Sequence, residues 1–332
     1  MKIREFFYIL LKRYFPHLKT KSKSKFFKKI LINKILLIFS YYLKISKEEI
    51  LISDIFLNSK EQEELEKILY DVLIKKYPIE YLLKKVRFGN LELNINENCL
   101  VPRLETEEFL FYSFEYLKNK YDLNDFSFIF LELGVGSGNI ILNFLEFFKF
   151  NKKNIFIGSD ISFKAIYLAL SNFYLNFIDK SVSKLIYLIN SDKFLFINTY
   201  NLSKFLITKN LNLIIFSNPP YLDKKEIKNL YDPFVSLYSK DKISFYVYIL
   251  KFVFELIDSI VYLRNDIKLE KLPIIEVFLE IDRIGFKKLL NKKRNKILSK
   301  LTILKKQKIS KNIYYFYIKY KEFFININFY VV

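Results

Sequence analysis

Apolar positions recur every three or four residues through the first 85 residues, a stretch with no glycine and only two prolines, Pro16 and Pro78. Phe6, Phe7, Leu10, Leu11 and Tyr14 form one stripe, and Ile30, Leu31, Ile35, Leu37 and Ile38 leave the following segment apolar nearly all round. This periodicity predicts a run of helices. Ser46-Lys47-Glu48-Glu49 has the form of a capping box for a helix from about Lys47, and Ser59 with Gln62 predicts the start of another that runs through Lys76.

The period then changes. Residues 86–101 alternate around Gly89-Asn90 and predict a hairpin, followed by a helix from Pro102 to Asn119 with Glu105, Glu107 and Glu108 near its positive end. Beyond it, apolar runs of buried-strand type alternate with helical stretches: Phe126–Leu131, a helix over Ile140–Phe150, Asn154–Ser159, Leu185–Ile189 and Leu211–Ser217. Ser244–Leu263 is long enough to span a membrane, but Lys251, Glu255 and Asp258 fall on one helical face, the pattern of a sheet-packed helix with a wet stripe. Late strands are expected at Ile274–Ile281, Leu301–Leu304 and Ile313–Tyr320, with a basic helix between the first two. The alternation of strand and helix predicts an α/β sheet.

Chemistry concentrates at two turns. Only six glycines occur in 332 residues, and three of them alternate in Glu132-Leu133-Gly134-Val135-Gly136-Ser137-Gly138, between a strand and a helix. Glycine there admits positive φ and lets a ligand lie on the main chain beside the free N–H groups of the helix start. The spacing is neither the Gly-x-Gly-x-x-Gly of dinucleotide binders nor a Gly-Lys-Ser/Thr phosphate loop. Asp160 ends the next strand 22 residues beyond Gly138, at the place of an acid that holds a ribose diol. Asp192 ends a third strand and is a candidate for an adenine edge. The strand ending at Ser217 runs into Asn218-Pro219-Pro220-Tyr221, where two prolines stiffen the turn and remove donors, leaving carbonyls and the Asn218 amide for a guest.

Composition narrows the options. Cys99 and His17 are the single cysteine and histidine, so no intramolecular disulfide or zinc-finger cluster is available, and metal and acyl-enzyme chemistry are not expected. The reducing cytoplasm is the natural compartment. The formal charge of +20 suits nucleic acid or an anionic surface, but heavy use of Phe, Tyr, Ile, Lys and Asn without Trp reads as an AT-rich coding bias that inflates lysine. The basic stretch from Lys19 to Lys34 is a candidate for weak contact with RNA or the ribosome, a solvated face being the plainer reading. No membrane partner is expected.

Glu132-x-Gly134-x-Gly136-x-Gly138 together with Asn218-Pro219-Pro220-Tyr221 resembles the S-adenosylmethionine-dependent amino-group methyltransferases. Val101-Pro102-Arg103-Leu104-Glu105-Thr106-Glu107 resembles the Pro-Arg-Pro-Glu-Thr-Glu segment of one branch, the peptide chain release factor glutamine methyltransferases. Pro78-Ile79-Glu80-Tyr81, Asp232-Pro233-x-x-x-Leu237 and Phe278-Leu279-Glu280 extend the match over about residues 75–320. The resemblance implies a Rossmann-like, mostly parallel sheet of seven strands, the last pair antiparallel. It also implies three parts: a substrate-gripping helical domain (1–85), a hairpin linker (86–101) and a catalytic domain (102–332). S-adenosylmethionine would be bound by Glu132, Gly134, Val135, Gly136, Ser137, Gly138, Asp160, Asp192, Phe194 and Asn218, leaving S-adenosylhomocysteine as product. Asn218, Pro219, Pro220 and Tyr221 would carry catalysis, and with Arg103 and Glu105 they would hold the glutamine of a release factor's Gly-Gly-Gln loop. A monomer is expected. Three departures stand out: Leu104 replaces a proline, Lys193 follows Asp192 where relatives often carry an aromatic, and no glycine pair precedes the late strand. The Asn-Pro-Pro-Tyr turn alone suits the exocyclic amine of adenine or guanine as well, and a ribosomal-protein glutamine is a third substrate of the same kind.

Overall fold

The computed structural model describes residues 1–14, 25–123, 125–179, 181–228, 230–266, 272–291, 302–309, 312–320 and 323–332. They form two compact units, Met1–Leu83 and Lys84–Val332. His17, the first part of the Lys19–Lys34 basic stretch and residues 267–271 before the late strand lie outside the described residues.

The first unit is helical: α1 (Ile3–Tyr14), α2 (Lys25–Leu43), α3 (Lys47–Ile52), α4 (Ser59–Leu73) and α5 (Ile79–Leu83). The stripe Phe6, Phe7, Leu10, Leu11 and Tyr14 is buried against Leu31, Ile35 and Phe39 of α2. Ser46 caps α3 as expected, its hydroxyl accepting from the Glu49 N–H while Glu49 returns the bond. At α4 the cap is Asn58 paired with Glu61, one residue before the expected Ser59, and the helix stops at Leu73. Asn58 prevails because its carboxamide reaches the free N–H of Glu61 at 2.9 Å.

The second unit begins with the hairpin β1 (Lys85–Phe88) and β2 (Leu91–Asn94), and continues with α6 (Leu104–Lys120), β3 (Phe128–Leu133), α7 (Asn139–Phe148), β4 (Ile155–Asp160), α8 (Phe163–Asn176) and β5 (Ile186–Asn190). The chain then forms α9 (Thr199–Lys209), β6 (Asn212–Ser217), the short α10 (Lys224–Ile227) and α11 (Phe234–Leu237), and α12 (Ser244–Asp266). It closes with β7 (Ile275–Ile281), α13 (Arg283–Leu289), β8 (Thr302–Lys308), β9 (Ile313–Tyr320) and β10 (Phe323–Val331). The large sheet runs β5-β4-β3-β6-β7-β10-β9-β8. Strands β3 to β7 are parallel, β10 is parallel to β7, and β9 is antiparallel to both β10 and β8.

Among the described residues the sheet therefore has eight strands where seven were expected. The additional one, β10, lies against β7 and separates it from the antiparallel pair. Its five residues Phe323, Ile325, Ile327, Phe329 and Val331 alternate with polar or aromatic neighbours and enter the core. Only Lys321-Glu322, with no glycine, proline or asparagine, separates it in sequence from β9, so no turn residue marks the break.

Period-two alternation assigns the two faces. Ile129, Leu131, Leu213, Ile215, Val277 and Leu279 pack against the face covered by α9 and α12. Phe128, Phe130, Ile214, Phe216 and Phe278 pack against α6 and α7 on the other. Glu132, Glu276 and Glu280 take alternate positions in those same strands, and all three are buried. Lys251, Glu255 and Asp258 of α12 are exposed while its opposite side is core. Among the described residues no helix is long and apolar enough to cross a membrane. Because β4 lies on one side of β3 and β6 on the other, the connections diverge at the carboxyl ends of β3 and β6, where open α/β sheets hold ligands.

Candidate active site

The bend after β3 opens that crevice. Gly134, Gly136 and Gly138 have φ of 80°, 56° and 83°. A Cβ on Gly134 or Gly136 would meet nothing within 4 Å, so their missing side chains leave open space above the main chain. Gly134 and Val135 donate to the Ser159 carbonyl at 2.8 and 3.1 Å, tying the bend to the tip of β4. Asp160 completes the tie: one carboxylate oxygen accepts from Gly136 N–H at 2.9 Å and the other from Ser162 N–H at 2.8 Å. Burial holds the Asp160 carboxyl above its usual range, against the two N–H donors.

A cavity of ≈ 330 Å³ lies above this bend, of a size that accommodates a small-molecule ligand. Gly134, Val135, Gly136, Asp160, Asp192, Arg103, Asn218, Pro219 and Pro220 line it. A second cavity of ≈ 110 Å³ adjoins the same turn and shares Arg103, Asn218, Pro219 and Pro220 with the first, while Tyr221 lines only the second. Two cavities thus share one asparagine.

Asn218 is held by a chain of hydrogen bonds. Its Nδ2 donates to Thr106 Oγ1 at 3.0 Å, and that hydroxyl donates to Glu280 Oε2 at 2.6 Å. The Tyr221 hydroxyl donates to Glu280 Oε1 at 3.3 Å. Glu280 is 1% exposed, and burial pushes its carboxyl up to about 7 despite the bonds from Thr106, Tyr221 and Asn218. With Nδ2 engaged, Oδ1 is the acceptor that Asn218 has to offer a guest. A second clamp fixes the approach: buried Asp232 accepts from the Val101 N–H at 2.9 Å and pairs with Arg103 Nη2 at 2.7 Å.

Other residues singled out from the sequence fall elsewhere. Glu132 does not line either cavity; it is fully buried, one oxygen accepts from Ile141 N–H at 2.8 Å and the other has no partner. Burial pushes its carboxyl well above the usual range. Ser137 and Gly138 lie behind the bend: the Ser137 carbonyl accepts from Asn172, and Gly138 packs against Leu142 and Ala169 of the flanking helices. Glu105 is exposed on the first turn of α6, away from both cavities. Phe194 is not a wall of the site. It is 1% exposed and sits in the core against the rings of Phe252 and Tyr248.

Phe245 of α12 takes the place that sequence reasoning gave to Phe194. It lines the cavity, with Lys193 Nζ 5.6 Å from its ring centre and 2.6 Å from Asp192 Oδ1. Ile161, next to Asp160, is exposed and lines the cavity, as does Cys99 after the hairpin, its thiol pushed up to about 12 by burial. Phe245 carried no local signal because it lies 53 residues beyond Asp192 and joins the site only when α12 docks. Thr106 and Glu280 were visible as parts of quoted segments, but their union is tertiary. No group of three or more possible metal ligands occurs among the described residues.

A Rossmann-like α/β sheet with a glycine bend facing an Asn-Pro-Pro-Tyr turn defines a protein of the class I methyltransferase type. No family model matches the chain. Curated relatives do. A release factor glutamine methyltransferase of Buchnera aphidicola subsp. Schizaphis graminum is 32% identical over 211 residues, 61% of this chain and 67% of that protein. Proteins of the same name from Mycoplasma mycoides and Flavobacterium psychrophilum are 30% and 32% identical over 61% and 53% of this chain, and 66% and 57% of their own lengths. The chain belongs to the release factor glutamine methyltransferase family. It spans just under two thirds of the length of the Mycoplasma and Flavobacterium relatives at most. Among solved structures, the hMettl16 catalytic domain bound to an RNA hairpin aligns at a TM-score of 0.40 with 12% identity, over 67% of this chain and 72% of that one.

Proposed function

We propose that this protein transfers a methyl group from S-adenosylmethionine to the side-chain amide nitrogen of the glutamine in the Gly-Gly-Gln loop of peptide chain release factors. The observation that carries the proposal is the orientation of Asn218: its NH₂ is engaged by Thr106, and its acceptor remains available where two cavities meet. In this reading the larger cavity takes the cofactor. The open main chain of Gly134 and Gly136 receives its amino-acid end, Asp160 accepts from the ribose hydroxyls, and Ile161, Phe245 and the Lys193–Asp192 pair surround the adenine. When bound, the cofactor supplies an electrophilic methyl on a sulfonium.

The smaller cavity takes the glutamine side chain. An amide nitrogen is a weak nucleophile because its lone pair is delocalised into the carbonyl. Asn218 Oδ1 and a main-chain carbonyl, that of Pro219, accept its two N–H hydrogens, which aims the lone pair across the shared wall and favours pyramidal geometry. Held so by Asn218 and Pro219, the nitrogen would take up the methyl that the cofactor supplies, and the extra N–H proton would leave to solvent afterwards. Orientation of this kind lowers barriers by on the order of 7 kcal/mol in the best aligned systems. Arg103, fixed by Asp232, stands at the rim of both cavities to meet the loop's main chain. The helical first unit is assigned to gripping the protein substrate.

The test is transfer of labelled methyl to purified release factor, compared with ribosomal RNA, DNA and ribosomal protein, with the modified residue located by mass spectrometry. Label on the loop glutamine is expected, and Asn218→Ala should lower kcat far more than cofactor affinity. Label on a base would replace this reading with a nucleic-acid amino methyltransferase.

A further inference from the structure

The amide of Asn218 has two ends, and the proposed reaction works with only one of them facing the substrate. An oxygen turned to the glutamine accepts an N–H, whereas an NH₂ turned there would oppose a second NH₂. Nothing in the Asn-Pro-Pro-Tyr turn itself makes that choice. The choice is made by Glu280, which Asn218 bonds and which Thr106 reaches at 2.6 Å while its hydroxyl receives the Asn218 bond at 3.0 Å.

We propose that buried Glu280 is a positioning residue for catalysis, setting the direction of the hydrogen-bond chain through Thr106 and so deciding which end of the Asn218 amide faces the substrate. An ionised carboxylate only accepts, so the Thr106 proton must point at Glu280. Its lone pair is then all that Thr106 can show Asn218, which must answer with NH₂. A protonated Glu280 can donate to Thr106 instead. Thr106 is then free to donate to Asn218, and the amide can turn its oxygen inward and its NH₂ toward the substrate.

The surroundings make this carboxyl switchable near neutrality. It is buried on the face of β7 that α6 covers, and that burial is the first cause of its rise to about 7. Groups facing it are Thr106 and the acidic Glu105 from α6, Asn218 and Tyr221 from the turn, Asn218 bonding the carboxylate as well as Thr106, and Tyr246 of α12, which donates to the Glu280 main-chain carbonyl at 2.8 Å. Asp282 beyond β7 and Arg103 before α6 act on the same cluster through Tyr221. Thr106 and Glu280 do not touch the cavity contents in the same way: Thr106 lines the larger cavity, and Glu280 lines neither.

The inference rests on the proposed glutamine methylation and is tested in the 332-residue chain with release factor as acceptor. Thr106→Val and Glu280→Gln should each lower kcat about 10- to 100-fold, the scale of a misaimed reacting group, with the dissociation constant for S-adenosylmethionine unchanged within about twofold. Thr106→Ser, which keeps the hydroxyl, should restore most of the rate. Wild-type kcat should fall as pH drops through the region of 7, and Glu280→Gln should flatten that limb. Wild-type kcat with an unaltered pH profile in Glu280→Gln, or parallel loss of rate and cofactor binding in both variants, would overturn the proposal. Should wild type label no release factor, the functional reading fails by itself. The side-chain ¹⁵N resonance of Asn218 in the cofactor-bound protein then decides the chain: it should shift with pH in wild type and not in Glu280→Gln, and a resonance equally insensitive in both would refute it.

Discussion

Glu280 illustrates how one residue trades stability for orientation. Its carboxyl is raised from 4.5 to about 7 by a burial that its hydrogen bonds only partly offset. Between those values the native state holds a proton that the unfolded state has released, so stability declines as pH rises through this window and levels off above it. Glu280→Gln removes the titrating group. The difference in unfolding free energy between variant and wild type should therefore shift in favour of the variant by on the order of 3 kcal/mol from pH 4.5 to pH 8, read by denaturant titration at each pH. A constant difference across that range would mean that Glu280 titrates in the folded protein as it does in the unfolded one. A variant more stable at pH 8 yet slower in methyl transfer is the expected mark of a group kept for function. Glu276, equally buried, has no such role: Lys120, Tyr121 and Asn326 satisfy it far along β7 from the cavities.

The glycine bend is the element on which the proposed cofactor site rests, and its glycines are present for different reasons. A Cβ on Gly136 would meet nothing within 4 Å and project above the main chain, at a φ of 56° that alanine adopts at a cost of about 1–2 kcal/mol. One on Gly138 would lie 2.9 Å from Leu142 Cδ1 and 3.2 Å from the Ala169 Cβ, between two packed helices. Gly136→Ala should thus weaken S-adenosylmethionine binding tenfold or more while shifting the melting temperature by only a few degrees, about 2–4 °C per kcal/mol for a chain of this size. Gly138→Ala should lower stability more, with affinity in the remaining folded protein nearer wild type. Calorimetric titration and thermal melting separate the two, and identical profiles would contradict the division. The same element shows why the acid at Glu132 matters without touching the cavity: its carboxylate accepts the Ile141 N–H and so fixes the first turn of α7 behind the bend.

At the scale of the molecule, each unit carries its own apolar core, Ile3 to Val72 in the first and two sheet faces in the second. Residues 84–332 alone should bind S-adenosylmethionine like the full chain but raise KM for intact release factor about tenfold or more with kcat largely kept, the signature of lost uniform binding. An unchanged KM would deny the helical unit its proposed role in gripping the substrate. Local sequence determined a good deal of this protein: the helical stripe of Phe6 to Tyr14, the alternating strands from Phe128 to Ile281, the glycine bend and the stiff Asn218 turn all follow from periods and backbone restrictions that act over a few residues. Tertiary structure decided the rest. β10 found its place beside β7 only through a face of alternating side chains that needs a partner strand to be buried. Phe194 went to the core and Phe245 to the cavity because α12 docks where it does, and hydrophobicity cannot tell a core ring from a pocket wall. The end of the Asn218 amide that is left open to the cavities is set by a hydroxyl 112 positions away and a carboxylate on β7, since a hydrogen-bond direction belongs to the assembled chain of donors and acceptors and to no segment of sequence.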